Sequence, residues 1–196
     1  VFSPRRLLVA VPCLTAALAA VLTAAPAASA DLVSLSACNS NTLSRYFSPW
    51  ADPAYYELAP GGSFSDSSWT LAGGATLVSG GEPFAVLGSV SPNSLSLPSG
   101  ASATSPSTCV DAAYPDIRFF VAGSGTVGVN VIYNGTVIPS GVVPAGGSWM
   151  PGPITVTGSA ITGAENGGTA QIQIQLVGLS GNPEVSDVFI DPFHGG

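Results

Sequence analysis

The sequence predicts an all-β domain, a sandwich of two antiparallel sheets, behind a short apolar leader. From Pro49 onward, brief runs of β-branched and aromatic residues are broken by Gly, Pro, Asn and Ser, the spacing of a sandwich or barrel. The run Gln171 to Leu176 alternates polar and apolar residues without a fault, the period of a half-buried strand. No segment carries the period of a long helix.

The leader comes first. Arg5 and Arg6 give a positive end, Leu7 to Thr23 an apolar middle, and Ala28-Ser29-Ala30 a small-x-small cleavage site before Asp31. Those three parts define a secretory signal peptide over residues 1–30, cleaved after Ala30. The run is Ala-rich and holds Pro12, so it reads as a signal rather than as the ~20 strongly apolar residues of a membrane anchor. Cys13 is preceded by Pro12 and followed by more apolar chain, which argues against lipidation, and the paired arginines leave general and twin-arginine export both open.

Export leaves 166 residues, a length suited to one domain with one core. They hold all eleven acidic residues against two bases, Arg45 and Arg118, for a formal charge of −9, and no lysine. Phosphate binding needs clustered positive charge, so nucleic acid is excluded as a partner. After cleavage only Cys38 and Cys109 remain, and in an oxidising compartment they are expected to pair. Without a CxxC or clustered histidines they read as a staple and not as a metal site.

Residues 31–48 are Ser- and Asn-rich with no sustained period, an irregular N-terminal arm tied down at Cys38. Residues 49–196 are the sandwich domain. Its expected strands are Ala54 to Leu58, Trp69 to Leu71, Ala75 to Ser79, Ser94 to Leu97, Ile117 to Ala122, Val127 to Tyr133, Ile154 to Thr157, Ala170 to Val177 and Val185 to Ile190. In the last-but-one, Ile172, Ile174 and Leu176 should face the core and the glutamines a solvated side. Pro98 to Thr108, rich in Ser, Thr and Pro, is expected to be a long loop.

Gly123 to Gly128 spells GxGxxG, but no helix follows, so the segment reads as a Gly-rich hairpin turn between two strands and not as a phosphate cradle. Asn134-Gly135 is a second hairpin signal, and Asn134-Gly135-Thr136 is also a glycosylation sequon. The single histidine, His194, lies near the C-terminus and there is no GxSxG, which argues against a Ser-His-Asp mechanism. Eleven acids leave a glycosidase pair of carboxylates open, since their separation depends on the fold. No catalytic residue is assigned, and the chain is expected not to be an enzyme.

The aromatic residues carry the functional signal. Saccharide sites present flat rings flanked by polar groups, and Trp50, Tyr55, Tyr56, Trp69, Tyr114 and Trp149 are candidates. Trp69 reads as core. Trp50, Tyr56 and Trp149 are the expected ligand-binding set, Trp149 because Gly147 and Pro151 mark its surroundings as a loop.

Pro60-Gly61-Gly62-Ser63-Phe64, followed by Trp69 and Gly73-Gly74-Ala75, resembles the opening of carbohydrate-binding-module-like jelly rolls with a galactose-binding-like fold. Val185 to Pro192 is similar to their closing strand, where an Asp precedes alternating apolar residues. Through Phe47 to Gly62, Leu97-Pro98, Ser102 to Ser105, Cys109-Val110, Arg118-Phe119-Phe120 and Asp187 to Pro192, the chain also resembles a group of secreted proteins of high-GC Gram-positive bacteria. The resemblance implies a jelly-roll sandwich and an extracellular location. It further implies a structural calcium, with Asp187 on the closing strand as ligand. Ser65 stands where the opening Glu is expected and Ser186 where a second acid would be, which leaves Asp66 to compensate. The expected function is a secreted, non-catalytic binding module. At a charge of −9 its partner should be a neutral polysaccharide or cell-wall glycan. A structural or interaction protein of the cell surface with no saccharide ligand is the alternative.

Overall fold

The computed structural model describes Cys38 and residues 42–192. The leader and His194 lie outside the described residues. Ten strands carry the fold: β1 (Glu57–Leu58), β2 (Thr70–Ala72), β3 (Thr76–Ser79), β4 (Asn93–Ser96), β5 (Ser102–Thr104), β6 (Thr108–Val110), β7 (Asp116–Tyr133), β8 (Thr136–Pro151), β9 (Thr155–Val156) and β10 (Ala170–Asp191). Among the described residues the only helical segments are two 3-10 turns, Ser48–Trp50 and Thr162–Gly167, and no helix is long and apolar enough to cross a membrane.

Two long strands organise the rest. β7 and β10 run antiparallel from Ile172↔Tyr133 to Asp191↔Asp116. β8 and β9 add to the free side of β7. On the other side of β10 lie β6, β5, β4 and β1, with β2 outside β5 and β3 outside β4.

Side-chain parity shows how this ribbon becomes a jelly roll. Ile117, Phe119 and Val121 in the first half of β7, and Val127, Val129 and Val131 in the second, all enter one core with Ile172, Ile174, Leu176, Val185 and Ile190. Both halves of one face can meet in one core only if the ribbon curls, so the two layers are halves of continuous strands. In β10 the inward residues pass from even numbers (Ile172, Ile174, Leu176) to odd (Val185) and back (Val188, Ile190). Register shifts between Gly178 and Ser180, and between Ser186 and Phe189, account for both changes.

Two expectations need correction, and one strand, β8, went unread in the sequence. Gly123 to Gly128 is not a hairpin turn: Gly123, Ser124 and Gly125 pair with Pro183, Asn182 and Gly181 inside the ribbon. Gly125 has φ +111°, and a Cβ there would lie 1.9 Å from the Ser180 carbonyl oxygen, so the glycine serves a bend where two backbones touch. The stretch from Pro98 to Thr108 is not one loop, because β5 lies within it, with Ala103 fully buried. The 16-residue β8 carries no alternation a reader could follow, since Pro139, Pro144 and several glycines interrupt it. It is paired on the β7 side only, and on such an edge strand a proline costs no ladder bond. The Asn134-Gly135 turn between β7 and β8 is as expected, with Asn134 at φ +48° and Gly135 at +76°.

Candidate functional site: an aromatic cleft under the N-terminal arm

Alternation sends Phe120 of β7 and Phe189 of β10 to the face opposite the main core, where both are nonetheless fully buried. The cover is the chain before β1. The arm is pinned by the Cys38–Cys109 disulfide onto β6 and by the Ser44↔Tyr56 bridge, and a 3-10 turn at Ser48–Trp50 reverses it through Ala51 at φ +60°. Phe47 is the plug. Its ring stacks on Phe120 (5.2 Å between centroids) and meets Tyr56 and Phe189 edge-on at 5.1 and 5.3 Å.

One polar latch runs under the arm. The Arg118 guanidinium lies 4.4 Å above the Phe47 ring, its Nε donates to the Gly152 carbonyl at 2.9 Å, and Nη1 is paired with Asp52. The Tyr56 hydroxyl donates to Asp52 Oδ2 at 2.8 Å, and the Ala54 amide to Oδ1 at 2.9 Å. Burial pushes the Asp52 carboxyl up, but these donors and the Arg118 charge hold it below the ordinary carboxylate value. Burial and the neighbouring Asp52 push the Tyr56 hydroxyl well up, so it stays protonated.

Beside this plug opens a cleft of about 420 Å³. Trp50 lines it, edge-on to Phe84 at 4.9 Å and to Phe120 at 5.3 Å. Phe84 and Val86, from the segment between β3 and β4, extend that apolar lining, while Ser44, Arg45, Tyr46 and Ser48 supply polar edges. Phe84 is 39% exposed, so its ring is open to a ligand. Arg45 sits over the Tyr55 ring at 4.6 Å.

The expected site residues separate. Trp50 lines the cleft. Tyr56 does not: it is fully buried and hydrogen-bonded to Asp52, so the ring expected to stack on a sugar is part of the plug. Trp149 lies in β8 rather than in a loop, half-buried against the same aromatic cluster as Trp50, and does not line the cleft. Trp69 is core as expected, its Nε1 donating to the Pro60 carbonyl at 2.9 Å. Asp66 is exposed and accepts the Ser68 amide at 3.0 Å, whereas Asp187 is fully buried and accepts the Ser91 hydroxyl at 2.6 Å. Sequence reasoning missed Phe84, Val86, Arg45 and Tyr46. The one signal for the first two is Gly80-Gly81-Glu82-Pro83-Phe84, a strandless stretch with an acid beside an aromatic.

No protein-family model and no curated protein matches the chain. Among solved structures it is similar to the C-terminal family 6 carbohydrate-binding module of a laminarinase, LamC, from Zobellia galactanivorans. The identity there is 12% over 65% of this chain and 94% of that one, with a TM-score of 0.45. A family 6 module from a Cellvibrio mixtus lichenase, solved with cellotriose, is 12% identical over 67% and 95%, with a TM-score of 0.44. A family 36 module solved with calcium and xylotriose is 16% identical over 62% and 91%, with a TM-score of 0.38. At such identities these likenesses concern the fold and assign no ligand.

Proposed function

We propose that this domain is a secreted, non-catalytic binding module whose ligand is a neutral glycan seated in the Trp50 cleft. The observation that carries the reading is the cleft itself, an open groove with Trp50 and Phe84 rings at its surface and Ser44, Ser48 and Arg45 as hydroxyl partners. A pyranose offers one apolar face and a rim of hydroxyls, which suits such a lining. Glycoside hydrolysis needs two flanking carboxyls, and none of the residues lining this cleft is an acid. The formal charge of −9 over the exported residues disfavours anionic polymers, which supports a neutral ligand. Location outside the cell rests on the leader sequence, and the Cys38–Cys109 disulfide agrees with it.

Affinity electrophoresis of the purified domain in gels cast with neutral plant and cell-wall polysaccharides tests the reading. Retardation by at least one of them, lost in Trp50→Ala, is the expected result. No retardation by any, or retardation unchanged in Trp50→Ala and Phe84→Ala, would move the assignment to the alternative, an interaction protein of the cell surface. One observation favours that second reading: Val137, Val142, Met150, Ile154 and Val156 are exposed along β8 and the segment into β9.

A further inference from the structure

The domain keeps most of its charge off its surface. Asp52, Glu57, Glu82, Asp116, Asp187 and Asp191 are buried, and among the described residues the exposed charged side chains are Arg45, Asp66 and Glu165. Asp66 and Asp187 do not combine into the calcium site that the resemblance implies: Asp66 is exposed and held in its own turn, while Asp187 is fully buried on the Ser91 hydroxyl. Among the described residues no group of three acid, His or Cys side chains is placed to hold a metal. Residues 67–81, 83–110, 119–164 and 166–183 hold no Asp, Glu, Lys, Arg or His at all.

These charge-free stretches meet on one sheet face. In the second half of β7, Val127, Val129 and Val131 enter the core, so alternation turns Gly128, Asn130 and Ile132 outward. Pairing then sets Val142, Gly128, Val177, Ser102 and Ala72 side by side across β8, β7, β10, β5 and β2. Asn130, Gln175, Thr104 and Thr70 form the next row, and Val137 stands opposite Ile132 in the one beyond. The face is five strands wide and carries no charged side chain.

Its chemistry is aliphatic towards β8 and amide towards β10. Val137 and Val142 are 50% and 57% exposed. Leu179, from the first irregularity of β10, is 50% exposed and lies over Gly128, where a Cβ would be 3.3 Å from its methyl carbons. Asn130 Nδ2 donates to Gln175 Oε1 at 3.0 Å, and Gln173 Nε2 to the Ser105 carbonyl at 3.0 Å, which ties the amides to the sheet.

A second copy of the chain suits this face best. Saccharide sites want rings, and none of these positions is aromatic. A charged partner would find no counter-charge. A two-fold contact must be complementary to itself. Aliphatic side chains meet that condition, and so do amides, which carry donor and acceptor together. Copies with a formal charge of −9 over the exported residues approach each other most cheaply where charge is absent. The contact is face to face and not edge to edge, because Pro139 and Pro144 have no N–H to offer a further strand and the Pro139 carbonyl already accepts the Gly158 amide at 3.0 Å. Five strands at ~4.8 Å and three same-face positions at ~6.8 Å cover about 24 by 20 Å, on the order of 500 Å² per copy. A pair would bury about 1,000 Å², the lower limit of a specific interface, so the association is weak.

We propose that two copies of the domain associate through this face, sheet against sheet about a two-fold axis. Phe120 and Phe189, which back the aromatic cluster of the Trp50 cleft, turn outward from the other half of the ribbon, so association leaves both clefts uncovered. Two clefts on one particle would bind a polymer by avidity. That gain rests on the glycan reading, whereas the association does not.

Sedimentation velocity of the purified domain, from low micromolar to submillimolar concentration, tests the proposal without a glycan. The average mass should rise with concentration from one copy towards two. Gln175→Glu and Gln175→Lys each place like charges in both halves of the contact and should weaken association by at least ~10-fold. An equimolar mixture of the two variants should restore it. Met150→Glu, exposed opposite Val121 in the other half of β7, should leave it unchanged. Circular dichroism and urea unfolding establish that each variant is folded. A single-copy mass throughout, association that survives both Gln175 variants, or a mixture no better than its parts would each overturn the proposal. Loss in Met150→Glu alone would do the same, by moving the contact to the other layer. Retardation in polysaccharide gels that is lost in Gln175→Glu, from a protein of single-copy mass, would give the face to a glycan instead. Failure of glycan binding would leave the sedimentation result untouched.

Discussion

The guanidinium of Arg118 lies over the ring of Phe47, 4.4 Å from its centroid, with Asp52 as its buried ion partner. A strand residue thus holds the arm by its plug and by an acid five residues further along. Removing one member of such a pair strands the other: Asp52→Asn leaves a buried cation without its counter-ion and should cost about 3 kcal/mol. Tyr56→Phe removes only a hydroxyl donor to the same carboxylate and should cost about 1 kcal/mol. Urea unfolding of the two variants checks the order. Because the Asp52 carboxyl is held below its ordinary value, its stabilising effect is present above the unfolded value of 3.8 and is lost as pH falls through the folded one.

The bend of the β7–β10 ribbon should be intolerant of any side chain. Gly125→Ala faces both a φ of +111° and a Cβ 1.9 Å from the Ser180 carbonyl oxygen, and backbone cannot give way cheaply. Gly147→Ala is the matched control, with φ +100° and open space around the new methyl. The control should lose roughly 1–2 kcal/mol for the backbone conformation alone, and Gly125→Ala clearly more, by differential scanning calorimetry.

The Cys38–Cys109 bond spans 71 residues of sequence. In the chain-entropy account, opening such a loop removes up to ~4 kcal/mol. The double variant Cys38→Ser, Cys109→Ser should lower the urea midpoint accordingly. It should also speed proteolysis of the arm ahead of the sandwich, because the cross-link joins arm to β6. Limited proteolysis with and without reductant reads the same effect.

What could be read beforehand followed from period, and what could not followed from long-range contact. The alternation of Gln171 to Leu176 reports its environment directly, and Ile172, Ile174 and Leu176 are buried as read. The glutamines are less solvated than their pattern suggests, since Gln173 donates to the Ser105 carbonyl at 3.0 Å and Gln175 accepts from Asn130 at 3.0 Å. β8 was illegible because an edge strand tolerates Pro and Gly that would disqualify a central one. Tyr56 and Trp50 were indistinguishable because both are aromatics near one arm; only the fold shows that the first hydrogen-bonds inward while the second borders open space. Glu82 and Asp187 are fully buried acids, and no local pattern announces which acids the fold will take out of water.

The sharpest distinction to test is between rings that hold the fold and rings that hold a ligand. Phe47 is fully buried with four aromatic neighbours and a cation on its face, so Phe47→Ala should cost about 3–5 kcal/mol and impair folding. Phe84 is 39% exposed, with two ring contacts. Truncating it should cost much less, roughly 1–2 kcal/mol, since little of its surface leaves water on folding. If the cleft binds a saccharide through stacking worth on the order of 1 kcal/mol per ring, Phe84→Ala should weaken retention by about fivefold while the domain remains folded. Trp50→Ala should weaken it more, because that ring also props Phe84. Calorimetric stability and affinity electrophoresis on the same three preparations separate the two roles. Equal stability losses for Phe47→Ala and Phe84→Ala would show that Phe84 belongs to the plug and holds the fold rather than a ligand.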